Sequence, residues 1–109
     1  MADELRDKFA AIRNGLLEYA VLAVVSAKKV YAADIVQALA GTEFATQEGT
    51  LYPLLSRLRR ERKLEYEWAE SAAGPPRKYY RLTAEGRAHL QDLDGYWIEL
   101  NKTIKKLKL

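Results

Sequence analysis

Apolar residues recur at helical spacing along the first sixty positions, switch to alternation near Leu64, and return to helical spacing after Thr83. Leu5, Phe9 and Ile12 lie three or four apart and predict a first helix over about Asp3 to Arg13. A second, from about Leu16 to Ala27, is apolar on more than one side and is expected at the centre of the fold. A third, over about Ala32 to Ala40, turns Ile35, Val36 and Leu39 inward and has Gly41 as its stop. The fourth runs toward Arg62 with Leu51, Leu54, Leu55 and Leu58 as its buried stripe. Thr46 is its candidate cap, and Glu48 places a negative charge beside the free amides of the first turn. Pro53 has no amide to donate inside this helix, so either the regular helix begins near Tyr52 or its first turns are distorted.

In "LEYEWAE" the alternation puts Leu64, Tyr66 and Trp68 on one side and Glu65 and Glu67 on the other, and "KYYRL" does the same with Tyr80 and Leu82. Two short strands joined by "SAAGPP" follow, a ribbon that needs helices for support. The last helix starts at Thr83. Its apolar residues Leu90, Leu93, Trp97, Leu100, Ile104 and Leu107 alternate in spacings of 3 and 4, the seam of a helix that packs along another. Exposed on a narrow helix, such a strip predicts a homodimer, buried against a second copy or across Phe9 and Ile12 of the first helix.

Helices, then a ribbon, then a helix is the order of a winged helix-turn-helix, mainly α with a two-stranded β wing. Residues 1–83 would form the DNA-binding domain with its N-terminal helix, and residues 84–109 the C-terminal dimerisation helix. At 109 residues one domain is the economical reading. The chain has no cysteine and one histidine, His89, so thiol chemistry and a metal centre are not expected; neither Ser26 nor Ser56 has a base arrangement, and no cofactor or enzymatic activity is predicted. The stretch from Tyr19 to Ala27 is about half a membrane span, and the mixed charges of "MADELRDKFAAIRNG" do not make a secretory signal, so a cytoplasmic protein without a membrane partner is expected.

Formal charge is only +3, but its distribution is uneven: Arg57, Arg59, Arg60, Arg62 and Lys63 cluster, as do Arg77, Lys78 and Arg81. One helix fits a major groove and a ribbon tip can reach phosphate beside it. Gln47, Glu48 and Thr50 are therefore candidate base-edge contacts, and Tyr52, Arg57 and Arg60 candidate phosphate contacts. Pro75 and Pro76 stiffen the wing tip, so Arg77 and Lys78 would lose little freedom on meeting a phosphate backbone. A winged protein-interaction adaptor without specific DNA recognition is the alternative from another class.

"EGTLYPLLSRL", Glu48 to Leu58, together with "GPPRKYYRLT", Gly74 to Thr83, resembles the PadR family of bacterial and archaeal transcriptional regulators, over about Gly15 to Trp97. The resemblance implies a homodimeric repressor of double-stranded DNA at an inverted repeat, of the small subgroup with a single C-terminal helix. By position, Thr50, Tyr52 and Arg57 look like its recognition-helix residues and Lys78 like its basic wing residue; proline is tolerated where Pro53 stands. In multidrug-binding relatives an aromatic residue of the last helix helps enclose a planar ligand, which makes Trp97 a candidate for a planar aromatic effector, beside its reading as seam packing. Two departures stand out. Ala32 and Ala33 replace the Gly and Tyr of the family's "GYEI", and Arg62 and Lys63 replace a helix-ending glycine and an apolar residue, which would lengthen the helix or add charge facing the DNA backbone.

Overall fold

The structure, a computed structural model, describes residues 7–109. Its elements are α1 (Ala10–Ala27), α2 (Ala32–Leu39), α3 (Glu48–Arg60), β1 (Leu64–Ser71), β2 (Gly74–Leu82) and α4 (Ala84–Leu107). The fold is mainly helical with one two-stranded antiparallel sheet, as the periodicity indicates. The break predicted at Asn14 and Gly15 is not there: α1 passes through both, and the chain turns instead at Phe9, between the helical residues Asp7 and Lys8 and the start of α1. Gly15 weakens helix propensity by about 1 kcal/mol, less than the burial of Val21, Leu22 and Val25 farther along contributes. Leu5 and the predicted start at Asp3 lie outside the described residues.

Val21, Leu22 and Val25 of α1 meet Ile35 and Leu39 of α2, Leu51, Leu55 and Leu58 of α3, and Leu64, Tyr80 and Leu82 of the sheet. Val36 and Leu54, expected inward, pack at the edge of this cluster. By length and composition α1 could cross a membrane. Here Val21, Leu22 and Val25 face the core while the rest of the helix is exposed or half-buried, and Glu18 joins a network of ion pairs.

Gln47, not Thr46, occupies the N-cap of α3, and it makes no side-chain cap bond. The regular helix begins at Glu48, so Pro53 sits inside it. The carbonyl it leaves without a partner is that of Gly49, an exposed first-turn residue where water can take the missing place. The helix is not lengthened by Arg62. It stops at Arg60, and Arg62 takes φ +63°, the left-handed conformation that a glycine accepts without strain. Lys63 N then donates to Leu58 O at 2.9 Å and Arg62 N to Arg59 O at 3.0 Å, closing the helix end. Arg62→Gly is expected to raise stability by about 1 kcal/mol in urea unfolding, through relief of that strain.

The strands pair Leu64 with Leu82, Tyr66 with Tyr80 and Trp68 with Lys78. Ser71 pairs with Gly74, so the turn is Ala72 and Ala73 alone, and the prolines belong to β2 rather than to the loop. They fall where the register shifts between Ala69 and Ser71, a place that asks for no ladder donor. Beyond the predicted ribbon, Val30 pairs with the free side of β2: its amide donates to Tyr80 O at 3.0 Å and its carbonyl accepts from Tyr80 N at 2.7 Å. One bridging residue is too short to produce alternation in a sequence.

Thr83 caps α4, its hydroxyl accepting from Gly86 N at 2.9 Å and donating to Arg62 O at 2.6 Å. The first turn of α4 is thereby held to the end of α3. Farther on, Leu90 and Leu93 pack on the core, while Trp97, Leu100, Ile104 and Leu107 leave it and are exposed.

Candidate nucleic-acid interface

Because Leu51, Leu55 and Leu58 fix the inner face of α3, Gln47, Glu48, Thr50, Tyr52 and Arg60 are left on its surface. The wing rises beside the first turns of this helix. Between them lies a cleft of about 350 Å³ whose walls include Glu48 and Tyr52 from α3, Arg77 and Lys78 from β2, Trp68 from β1, and Tyr31. Four of the predicted residues thus converge. Gln47 and Thr50 lie on the same first turn, and Arg60 lies at the far end of the helix.

The wing cations do not project freely. The Arg77 guanidinium lies 4.0 Å from the centre of the Tyr31 ring, which is itself 4.4 Å from the Tyr79 ring. Lys78 Nζ lies 4.7 Å from the Tyr66 ring centre and 5.6 Å from that of Trp68, and Arg59 is also 4.7 Å from Tyr66. Such contacts hold a cation in place yet leave its outer side open to an anion. Aromatic rings thus hold these cations in addition to whatever stiffness Pro75 and Pro76 give the strand.

Tyr31 and Trp68 were not singled out by the sequence as site residues. Tyr31 immediately precedes α2, and its amide donates to Asp34 Oδ2 at 2.9 Å. It brings an aromatic ring to the interface although Ala33 stands where the family's tyrosine would be.

Arg57 is held differently from the other cations. Its Nη2 is 2.9 Å from Glu18 Oε1 on α1, and its Nη1 is 3.1 Å from Glu61 Oε2. The second Glu18 oxygen is 3.1 Å from His89 Nε2 on α4 and 3.9 Å from Lys63 Nζ, which also meets Glu61 at 3.1 Å. Burial pushes the Glu18 carboxyl up, but hydrogen bonds from His89 and Arg57 and the charges of Lys63 and Arg57 outweigh it and leave it below the ordinary range. Glu18 therefore joins α1, the end of α3 and α4. Helical periodicity shows apolar faces and is blind to such a pairing across 71 positions, Glu18 to His89.

Trp97, 43% exposed, borders a second, largely apolar cleft of about 350 Å³ between α1 and α4, with Leu16, Tyr19, Phe44 and Asp94 around it. The Tyr19 hydroxyl donates to Asp94 at its rim. Phe9 and Ile12 are exposed and do not line this cleft within the chain. Among the described residues no cluster of acidic, His or Cys side chains could hold a metal.

A family profile, Transcriptional regulator PadR-like family, matches residues 21–92. Among solved structures, the chain is similar to a PadR-like transcription factor from Bacteroides fragilis, with 44% identity, a TM-score of 0.81, and coverage of 93% of this chain and 98% of that one. A PadR family transcriptional regulator from Eggerthella lenta shares 32% identity with a TM-score of 0.85, covering 97% and 93%. An uncharacterised protein from Lysinibacillus sphaericus is 31% identical over 96 residues, 85% of this chain and 88% of the relative.

Proposed function

Because this chain belongs to the PadR-like family of transcriptional regulators, which are not enzymes, we propose that it is a homodimeric repressor that reads an inverted repeat in duplex DNA. The observation that carries this reading is the convergence of Glu48 and Tyr52 with Arg77 and Lys78 on one cleft. Gln47, Glu48 and Thr50 stand on the first turn of α3 and are assigned to base edges; Tyr52, Arg60, Arg77 and Lys78 are assigned to phosphates. Arg57 is already shared by two carboxylates, so its main part is to seat α3, and a phosphate would have to compete for it.

Residues 84–109 are assigned to dimerisation, with residues 1–83 as the DNA-binding unit. Leu93 packs on the core, whereas Trp97, Leu100, Ile104 and Leu107, together with Phe9 and Ile12, are left exposed, and a second copy is the occupant that twofold symmetry suggests. The paired α3 helices would then meet half-sites roughly 34 Å apart. Seam packing is the role proposed for Trp97. A planar aromatic effector beside it is a second reading, favoured by the apolar cleft, in which filling that space would change the spacing of the two α3 helices.

Gel-shift titrations of fragments upstream of genes in its own genome, at fixed salt, test the proposal. At least one fragment should bind better than random duplex, and no preference for any of them would end the reading as a specific repressor. Lys78→Ala should weaken binding several-fold and reduce the slope of log affinity against log salt by about one. Light scattering should give twice the chain mass.

A further inference from the structure

We infer that Trp68 is a DNA-contacting residue of the wing, laying its indole against the sugars and base edges of the duplex beside the recognition helix. The inference rests on the DNA-binding reading above and adds to it an apolar contact that neither the charge pattern nor the signature residues indicate.

The two faces of the wing differ in chemistry. Leu64, Tyr66 and Trp68 share one face with Leu82, Tyr80 and Lys78, their partners in register. That face begins in the core, with Leu64 1% and Tyr80 4% exposed, and ends at Trp68, which is 62% exposed. The acids Glu65 and Glu67 point the other way, where Arg81 meets Glu65 at 2.9 Å and Lys29 meets Glu67 at 2.5 Å. Both of these acids are thus turned away from Trp68 and paired, and the remaining wing acid, Glu70, lies at the register shift between Ala69 and Ser71. Glu48 of α3 is the one acid on the wall of the cleft that it shares with Trp68.

An indole 62% exposed leaves a large apolar surface in water that the described residues cover only in part. Its orientation is nevertheless fixed. The ring stands edge-on to Tyr66 at 5.9 Å and 86°, and Lys78 Nζ sits near its face. A side chain held this way gives up little entropy on binding. The occupant follows from charge: Arg77 and Lys78 line the same cleft and Arg59 lies on the Tyr66 ring, so a polyanion with flat apolar faces fits where an acidic surface alone would leave the indole unused. In effect the cations take the phosphates and Trp68 takes the surface between them.

The test compares wild type, Trp68→Ala and Trp68→Phe for binding to short mixed-sequence duplexes at low salt and to the preferred genomic fragment, with thermal melting as a check of folding. Trp68→Ala should bind about tenfold more weakly with an unchanged salt slope, since no charge is lost, whereas Trp68→Phe should keep most of the affinity. Tryptophan emission should be quenched by DNA in the wild type, and most of that change should vanish in Trp68→Ala. A folded Trp68→Ala that binds and is quenched like wild type overturns the inference and leaves the DNA-binding reading standing. Wild type that binds no duplex overturns both.

Discussion

Replacing Gly86 with alanine is expected to lower stability by about 3 kcal/mol, the largest single-residue effect predicted for this chain. A Cβ at this position would lie 1.9 Å from the Lys63 carbonyl oxygen and 2.8 Å from its carbon, and both are backbone atoms that no rotamer change can clear. The neighbouring bonds leave little slack. Thr83 N donates to that same Lys63 carbonyl at 3.2 Å, and the Thr83 hydroxyl bridges Arg62 O and Gly86 N. Accommodation would have to push the start of α4 off the end of α3. For a domain of this length the loss corresponds to a fall in Tm of roughly 15 °C. Gly95, on the same helix, has nothing within 4 Å of its Cβ direction, so Gly95→Ala should instead add about 0.5–1 kcal/mol. Thermal and urea unfolding of the two variants separate close packing from helix propensity; a Gly86→Ala protein as stable as wild type would show that the α3 to α4 junction yields.

Gly86 also illustrates what could be read from the chain in advance. The sequence starts the last helix at Thr83 and so places Gly86 in its first turn, while the cap that Thr83 makes there is seen only in the structure. What it packs against is the Lys63 carbonyl, separated from it in the chain by both strands of the wing, which no local pattern contains. The core was legible for a related reason: Leu51, Leu55 and Leu58, or Leu64 and Leu82, must face inward wherever the helix or strand goes. Continuity of α1 was not legible, because Asn14 and Gly15 lower local propensity while the packing that overrides them comes from other elements. The candidate interface divides in the same way. Exposed positions on α3 and cations on β2 follow from periodicity, but Tyr31, Trp68 and Glu18 join the picture only through the partners that folding brings to them.

Glu18→Gln is expected to cost about 2 kcal/mol at neutral pH, between the small worth of an exposed ion pair and the larger cost of breaking a buried one. The carboxylate is 20% exposed and serves three cationic or hydrogen-bonding groups at once, Arg57, Lys63 and His89. Without its charge they face one another around a neutral amide, and Glu61 alone remains to offset Arg57 and Lys63. The dependence on pH follows from the direction of the Glu18 shift. Its carboxyl is held below the ordinary 4.5 in the folded state, so its contribution is complete above that value and is lost as pH falls below it. Wild type should therefore lose its advantage over Glu18→Gln progressively below pH 4.5, because a protonated Glu18 and the amide of the variant are both uncharged and of nearly the same shape. Glu61 and Glu67 are also lowered, by hydrogen bonds chiefly from Lys63 and from Lys29, and they add to the acid sensitivity of both proteins without creating the difference between them. Urea unfolding from pH 7 to pH 3 measures the gap directly. A gap that stays constant through the acid range would mean that Glu18 acts by packing and not by charge. A gap that closes identifies its charge as what fastens α3, through Arg57, to α1 and α4, and the same variant should then bind duplex DNA more weakly at pH 7 because the recognition helix has lost part of its seat.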